Sequence, residues 1–136
     1  MSKSIFIMII FMTLMLPICT GCHKKIATVK TEYNLSPKER NVLEKKSNDG
    51  DAEASEKLAK YYLFVDYDFT KATSLLRIAA KSGDDRVQYN LATILMTSSV
   101  LKERQEGVYW LEISSKLGNK NSQKYLSELY EQGNTV

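Results

Sequence analysis

Three glycines, Gly50, Gly83 and Gly118, fall 33 and 35 residues apart, and each is followed at once by a short polar residue, Asp51, Asp84 or Asn119. Four residues past each glycine stand Ala54, Val87 and Ser122. Eight past stand Leu58, Leu91 and Leu126, each with a small neighbour, Ala59, Ala92 or Ser127. Twelve past come Tyr62, Leu95 and Tyr130. Running backward, Ala72 to Gly83 lies over Gly107 to Gly118 without a gap, and Leu76/Leu111, Ile78/Ile113 and Lys81/Lys116 are identical. No other feature limits the fold so tightly. A period near 34 belongs to a helix–turn–helix unit that cannot bury its apolar face alone and must stack on its neighbours.

Within each period the residue types agree with that geometry. A glycine ends one helix in a left-handed turn, and the Asp or Asn after it accepts a free backbone N–H of the next. Small residues at Ala59, Ala79 and Ala80 let two backbones approach, while Leu58, Tyr62, Leu76 and Trp110 fill the space beside them. Ser36 and Pro37 open the helical region with a capping hydroxyl and a residue whose φ is preset. The spacing predicts five helices, over 38–47, 52–63, 70–82, 86–97 and 104–117, and a sixth over 120–131 that closes the stack. The fold class expected is all-α, a short helical-hairpin solenoid.

The set Ala54, Leu58, Ala59 and Tyr62, followed by Ala72, Leu76, Ala79, Ala80 and Gly83-Asp84, resembles the Sel-one-like repeat, a relative of the tetratricopeptide repeat. The resemblance runs from Lys38 to Gly133 and places a repeat domain over 37–133. Asp51 to Gly83 is a full unit, Asp84 to Gly118 a second, and a half unit stands at each end. It departs from the family where Ala59, Ala92 and Ser127 replace a glycine beside the repeat leucine, and in two irregular loops, Leu63 to Phe69 and Thr97 to Glu103. In tetratricopeptide-like arrays the first helix of each pair lines a concave binding face. The resemblance thereby assigns Glu53, Glu56, Lys60 and Phe64, then Arg86, Tyr89, Thr93 and Met96, then Asn121, Lys124 and Glu128 to partner binding. The same residues also suit the solvated faces of amphipathic helices.

Ahead of this region the chain begins Met-Ser-Lys-Ser and runs through apolar Ile5 to Leu16 into Pro-Ile-Cys-Thr-Gly-Cys. A positive start, about a dozen apolar residues and a small-residue end predict a secretory signal peptide over 1–21. The run is shorter than the roughly 20 residues that cross a hydrocarbon core. Thr20-Gly21-Cys22 resembles the lipobox of bacterial lipoproteins, with Cys19 where the family usually carries leucine. The resemblance implies cleavage after Gly21 and acylation of Cys22, palmitate among the acyl chains, at the head of a polar tether over 22–36. His23 rather than Asp after the cysteine implies the outer membrane, with the domain facing the periplasm. Cys19 leaves with the peptide and Cys22 is consumed by lipid, so the folded region holds no cysteine.

Charge and chemistry narrow the function further. The net charge of +3 comes from the N-terminal stretch, because from Pro37 onward 15 Lys/Arg balance 15 Asp/Glu. With no basic stripe on the domain, nucleic acid is not an expected partner. Lys24, Lys25 and Lys30 suit either anionic headgroups or a solvated tether. The single histidine, His23, lies outside the repeat region, so no Ser-His-Asp or Cys-His arrangement can be drawn there and zinc lacks its usual ligands. Neither a cofactor nor a small-molecule substrate is expected. Asp49/Asp51, Asp66/Asp68 and Asp84/Asp85 fall at helix junctions, where capping is the ordinary role. Tyr62, Trp110 and Tyr130 occupy core positions, whereas Tyr61, Phe64, Tyr67 and Phe69 crowd one loop and suit core or interface. The sequence therefore points to a lipid-anchored protein-interaction module, an adaptor or assembly factor, or else to an immunity lipoprotein that neutralises a toxin in the periplasm.

Overall fold

Ser36 starts the first helix as a two-way cap: its hydroxyl accepts from the Glu39 N–H at 3.3 Å, and the Glu39 carboxylate accepts from the Ser36 N–H at 2.8 Å. From this point the computed structural model, which describes residues 30–133, is helical with short junctions. Helix α1 spans Pro37–Asn48, α2 Ala52–Phe64 and α3 Phe69–Ala79, the last running into a 3₁₀ turn over Ala80–Ser82. Helix α4 spans Asp85–Met96, α5 Leu101–Lys116 and α6 Lys120–Glu131. No strand occurs among the described residues, and the fold is all-α. Residues 1–29 lie outside the described part, and with them the signal peptide, the lipobox, Cys22 and His23.

The three glycine junctions are built alike. Gly50, Gly83 and Gly118 take φ of +88°, +89° and +101°, the left-handed region that costs an L side chain about 1–2 kcal/mol. The next residue caps the following helix each time. Asp51 accepts from the Ala54 N–H at 3.0 Å, Asp84 from the Val87 N–H at 3.4 Å and Asn119 from the Ser122 N–H at 3.0 Å. Across each junction a side chain five residues past the glycine meets a group three before it. The Ser47 and Ser55 hydroxyls lie 2.7 Å apart. Gln88 Nε2 donates to the Ala80 carbonyl at 3.2 Å, and Gln123 Nε2 to that of Ser115 at 3.1 Å.

Consecutive helices pack, and buried clusters each draw on three of them. Ala59 on α2, Leu76 and Ala79 on α3, and Leu91 and Leu95 on α4 form one buried cluster. Ala92, Leu111 and Leu126 tie α4, α5 and α6 into another. Leu58, Leu91, Leu95 and Leu111 are fully enclosed, each contributing about 1.5–3 kcal/mol by leaving water.

Three features depart from the sequence expectation. Helix α5 begins at Leu101, three residues early, because Ser98 accepts the Val100 N–H at 3.0 Å and Arg104 reaches back to the Ser98 carbonyl at 3.0 Å. The chain packs before Pro37: Leu35 is buried among Leu58, Tyr61, Tyr62 and Ala72, so the stretch ending at 36 is not wholly a polar tether. Tyr130, expected in the core, is 52% exposed, because no described helix follows α6 to cover it.

Candidate binding surface

Helices α2, α4 and α6 carry the eleven residues that the sequence assigns to partner binding. Glu53 and Glu56 on α2 and Asp84 and Val87 at the start of α4 line one depression, so the beginnings of these two helices border a common surface. Glu56 pairs along its own helix with Lys60 at 2.7 Å, and Lys124 with Glu128 at 3.7 Å. Arg86 holds Asp84 at 2.8 Å. That pairing keeps the Asp84 carboxyl below its ordinary range and the guanidinium above its own. Such exposed pairs stabilise by less than about 1 kcal/mol and leave the charges available to a partner. Glu53 and Glu56, with Asp84, line an acidic depression of about 270 Å³ floored by Ala79 and Val87. Asn121 is exposed at the start of α6.

The apolar members of the set are occupied elsewhere. Tyr89 and Met96 are half-buried against the cluster of Ala92, Leu111 and Leu126. The Met96 side chain lies over the Gly107 backbone, where an added Cβ would meet its sulfur at 3.0 Å. Phe64 stacks on Tyr33 with ring centroids 5.0 Å apart. The Thr93 hydroxyl donates to the Asn90 carbonyl at 2.9 Å. The face is therefore mainly charged: Tyr89 and Met96 serve packing, and Phe64, though set against Tyr33, stays 39% exposed.

Aromatic exposure concentrates at the α2–α3 corner. Tyr61 and Tyr62 are buried and meet edge to face at 5.3 Å, while Tyr67 and Phe69 are more than half exposed. Tyr67 also takes φ +57°, a strained conformation for a bulky side chain. It sits between the end of α2 and Asp68, whose carboxylate accepts from the Lys71 N–H at 3.0 Å and caps α3. The junction carboxylates Asp51, Asp68 and Asp84 thus act as caps, and Asp85 receives Asn119 Nδ2 at 2.8 Å. Among the described residues no three His, Cys, Asp or Glu gather where they would hold a metal.

Sequence reasoning missed a groove of about 300 Å³ between α1, α2 and α3, walled by Ser47, Leu58, Tyr62 and Leu75, with Glu44 and Lys71 at its rim. The Tyr62 hydroxyl donates to Glu44 at 3.4 Å, and the Lys71 ammonium stands over the Tyr62 ring at 4.9 Å. Burial beside the Glu44 charge raises the Tyr62 hydroxyl above its usual range. The alignment of Leu75 with Trp110 was the available signal, since it leaves a smaller side chain at this place.

No family model matches the chain, and no solved structure does. The uncharacterized protein YibG of Escherichia coli (strain K12) is similar, 33% identical in an alignment of 101 residues that covers 71% of this chain and 66% of the relative. The match thus spans a little under two thirds of that relative's length.

Proposed function

We propose that this chain is a lipid-anchored interaction module of the bacterial cell envelope, a short solenoid of Sel-one-like units that grips a polypeptide partner along α2, α4 and α6. The observation that carries the reading is the likeness of the three junctions at Gly50, Gly83 and Gly118. It supports a stack of equivalent helices, an arrangement that brings Glu53, Glu56 and Arg86 toward a common face in this reading. The lipobox resemblance at Cys22 supplies the anchor, and His23 after it directs the protein to the outer membrane with the domain in the periplasm. Its role there is adaptor or assembly factor rather than catalyst. No described helix is long and apolar enough to cross a membrane.

Two measurements test the reading. Cells fed an alkyne palmitate analogue are expected to label the wild-type protein and not Cys22→Ser; equal labelling of both refutes the anchor. Crosslinked envelopes are expected to yield one predominant partner with the wild type and much less with Glu56→Lys/Arg86→Glu. An unchanged yield from the charge-reversed protein removes the face from the proposal. A toxin as the captured partner would make the module an immunity protein.

A further inference from the structure

The groove between α1, α2 and α3 has a counterpart one period along, between α3, α4 and α5, where Trp110 packs into the corresponding positions and the remaining depression of about 230 Å³ is shifted toward Phe69, Ile94 and Ser98. There Trp110 packs against the buried cluster that holds Leu76, Ala80, Leu91 and Leu95. Its indole Nε1 donates to Glu106 at 3.3 Å, and Arg77 grips the same carboxylate at 2.9 Å. Counting from the glycines, Leu58 stands for Leu91, Tyr62 for Leu95 and Ser47 for Ala80. Glu44 and Lys71 stand for Arg77 and Glu106 with the charges exchanged, and Leu75 stands for Trp110. In the Trp110 slot the Glu106 carboxylate holds both the Arg77 guanidinium and the indole N–H. In the open one Lys71 turns to Asp68 at 3.0 Å, and the groove of about 300 Å³ remains.

We propose that the groove receives one aromatic side chain, an indole, presented by a polypeptide partner. The walls match such a ring: Leu58 and Leu75 supply apolar contact, and Tyr62 offers an aromatic edge. The rim is charge-complementary. Glu44 accepts the ring N–H as Glu106 does from Trp110, and the Lys71 ammonium, already above one aromatic face, lies within reach of a second. A tryptophan supplied from outside thus completes the position that this period lacks. The site is walled by α1, α3 and the Leu58 and Tyr62 side of α2, and uses none of the charged residues assigned on α2, α4 and α6, so it stands or falls apart from that face.

The test is a titration of the full-length protein in detergent micelles, following the Leu58 and Leu75 methyl resonances. N-acetyl-tryptophanamide is expected to shift both saturably, and N-acetyl-leucinamide at the same concentrations to shift neither. Leu75→Trp, which fills the groove from within, is expected to abolish the response of the Leu58 methyls, the probe that this variant retains. Glu44→Ala, an exposed substitution that spares the fold, is expected to weaken it about five-fold, the scale of one hydrogen bond. A tryptophan-containing peptide is expected to bind at least as tightly as free indole. Failure of the tryptophan amide to saturate, or an equal response to the leucine amide, overturns the proposal. Tighter binding of free indole than of the peptide overturns the polypeptide source. Methyl shifts that follow protein concentration alone, and vanish in Leu75→Trp, would show a second copy of this chain as the occupant and overturn it too.

Discussion

Asn119 joins two duties that a single side chain rarely shares: it accepts the Ser122 N–H as a helix cap and donates its amide to Asp85 Oδ2 on α4. The first duty is legible in the sequence from its place after Gly118, whereas the second depends on a residue 34 positions away. Asn119→Ala is therefore expected to destabilise by about 1–2 kcal/mol, the upper range for a lost cap. Asp51→Ala, which loses a cap alone, is expected to cost about 1 kcal/mol; urea denaturation of the two proteins checks the order. Glu106 shows a residue-scale effect of pH. Hydrogen bonding to Arg77 holds its carboxyl below the ordinary 4.5. A carboxyl lowered in the folded state stabilises above its unfolded value and loses that contribution as pH falls through the folded one. Glu106→Gln is thus expected to flatten the acid side of the stability curve below about pH 4.5, with a difference under about 1 kcal/mol because both partners are about one-third exposed. Denaturant titrations at several pH values measure it.

At the scale of elements, α4 lies close against α5 at Gly107, where an added Cβ would meet Met96 Sδ at 3.0 Å and the Ala92 carbonyl oxygen at 3.2 Å. Glycine in a helix interior costs about 1 kcal/mol against alanine, so its presence there marks a demand for space. Gly107→Val is expected to destabilise by about 1–3 kcal/mol through overpacking, read as a lower midpoint in thermal unfolding. Helix ranges followed closely from the sequence because caps and left-handed glycines act within one turn. The start of α5 did not, since its stop signal is a turn formed by Ser98, Val100 and Arg104 rather than a single capping residue. The same distinction explains the binding face. The resemblance assigned Glu53, Glu56 and Arg86 to a concave face together with Met96, Tyr89 and Phe64, but only packing revealed that the last three already have partners.

Over the whole described fold, stability comes from neighbour-on-neighbour burial, and the ends have fewer neighbours than the middle. Leu91 is fully enclosed in the cluster shared by α2, α3 and α4, and Leu91→Ala is expected to cost about 2–5 kcal/mol. Leu126, on the terminal α6, is expected to cost less on the same change. Native-state amide exchange is expected to show α1 and α6 opening before α4 and α5. A uniform protection pattern across the six helices would contradict this picture of additive stacking.

The sequence alone determined the helices, their junctions and their outward charges, because each follows from interactions reaching at most four or five residues along the chain. Gly50, Gly83 and Gly118, with the caps after them, are such signals. Tertiary structure decided what seals each apolar position. Tyr62 and Tyr130 hold the same place in the period, yet one is buried and the other is half exposed, because only the first lies under a further helix. Leu75 and Trp110 likewise hold one place, and their difference in size leaves a groove in one slot and a filled core in the next. Burial depends on which neighbour is present, and no local residue pattern encodes that.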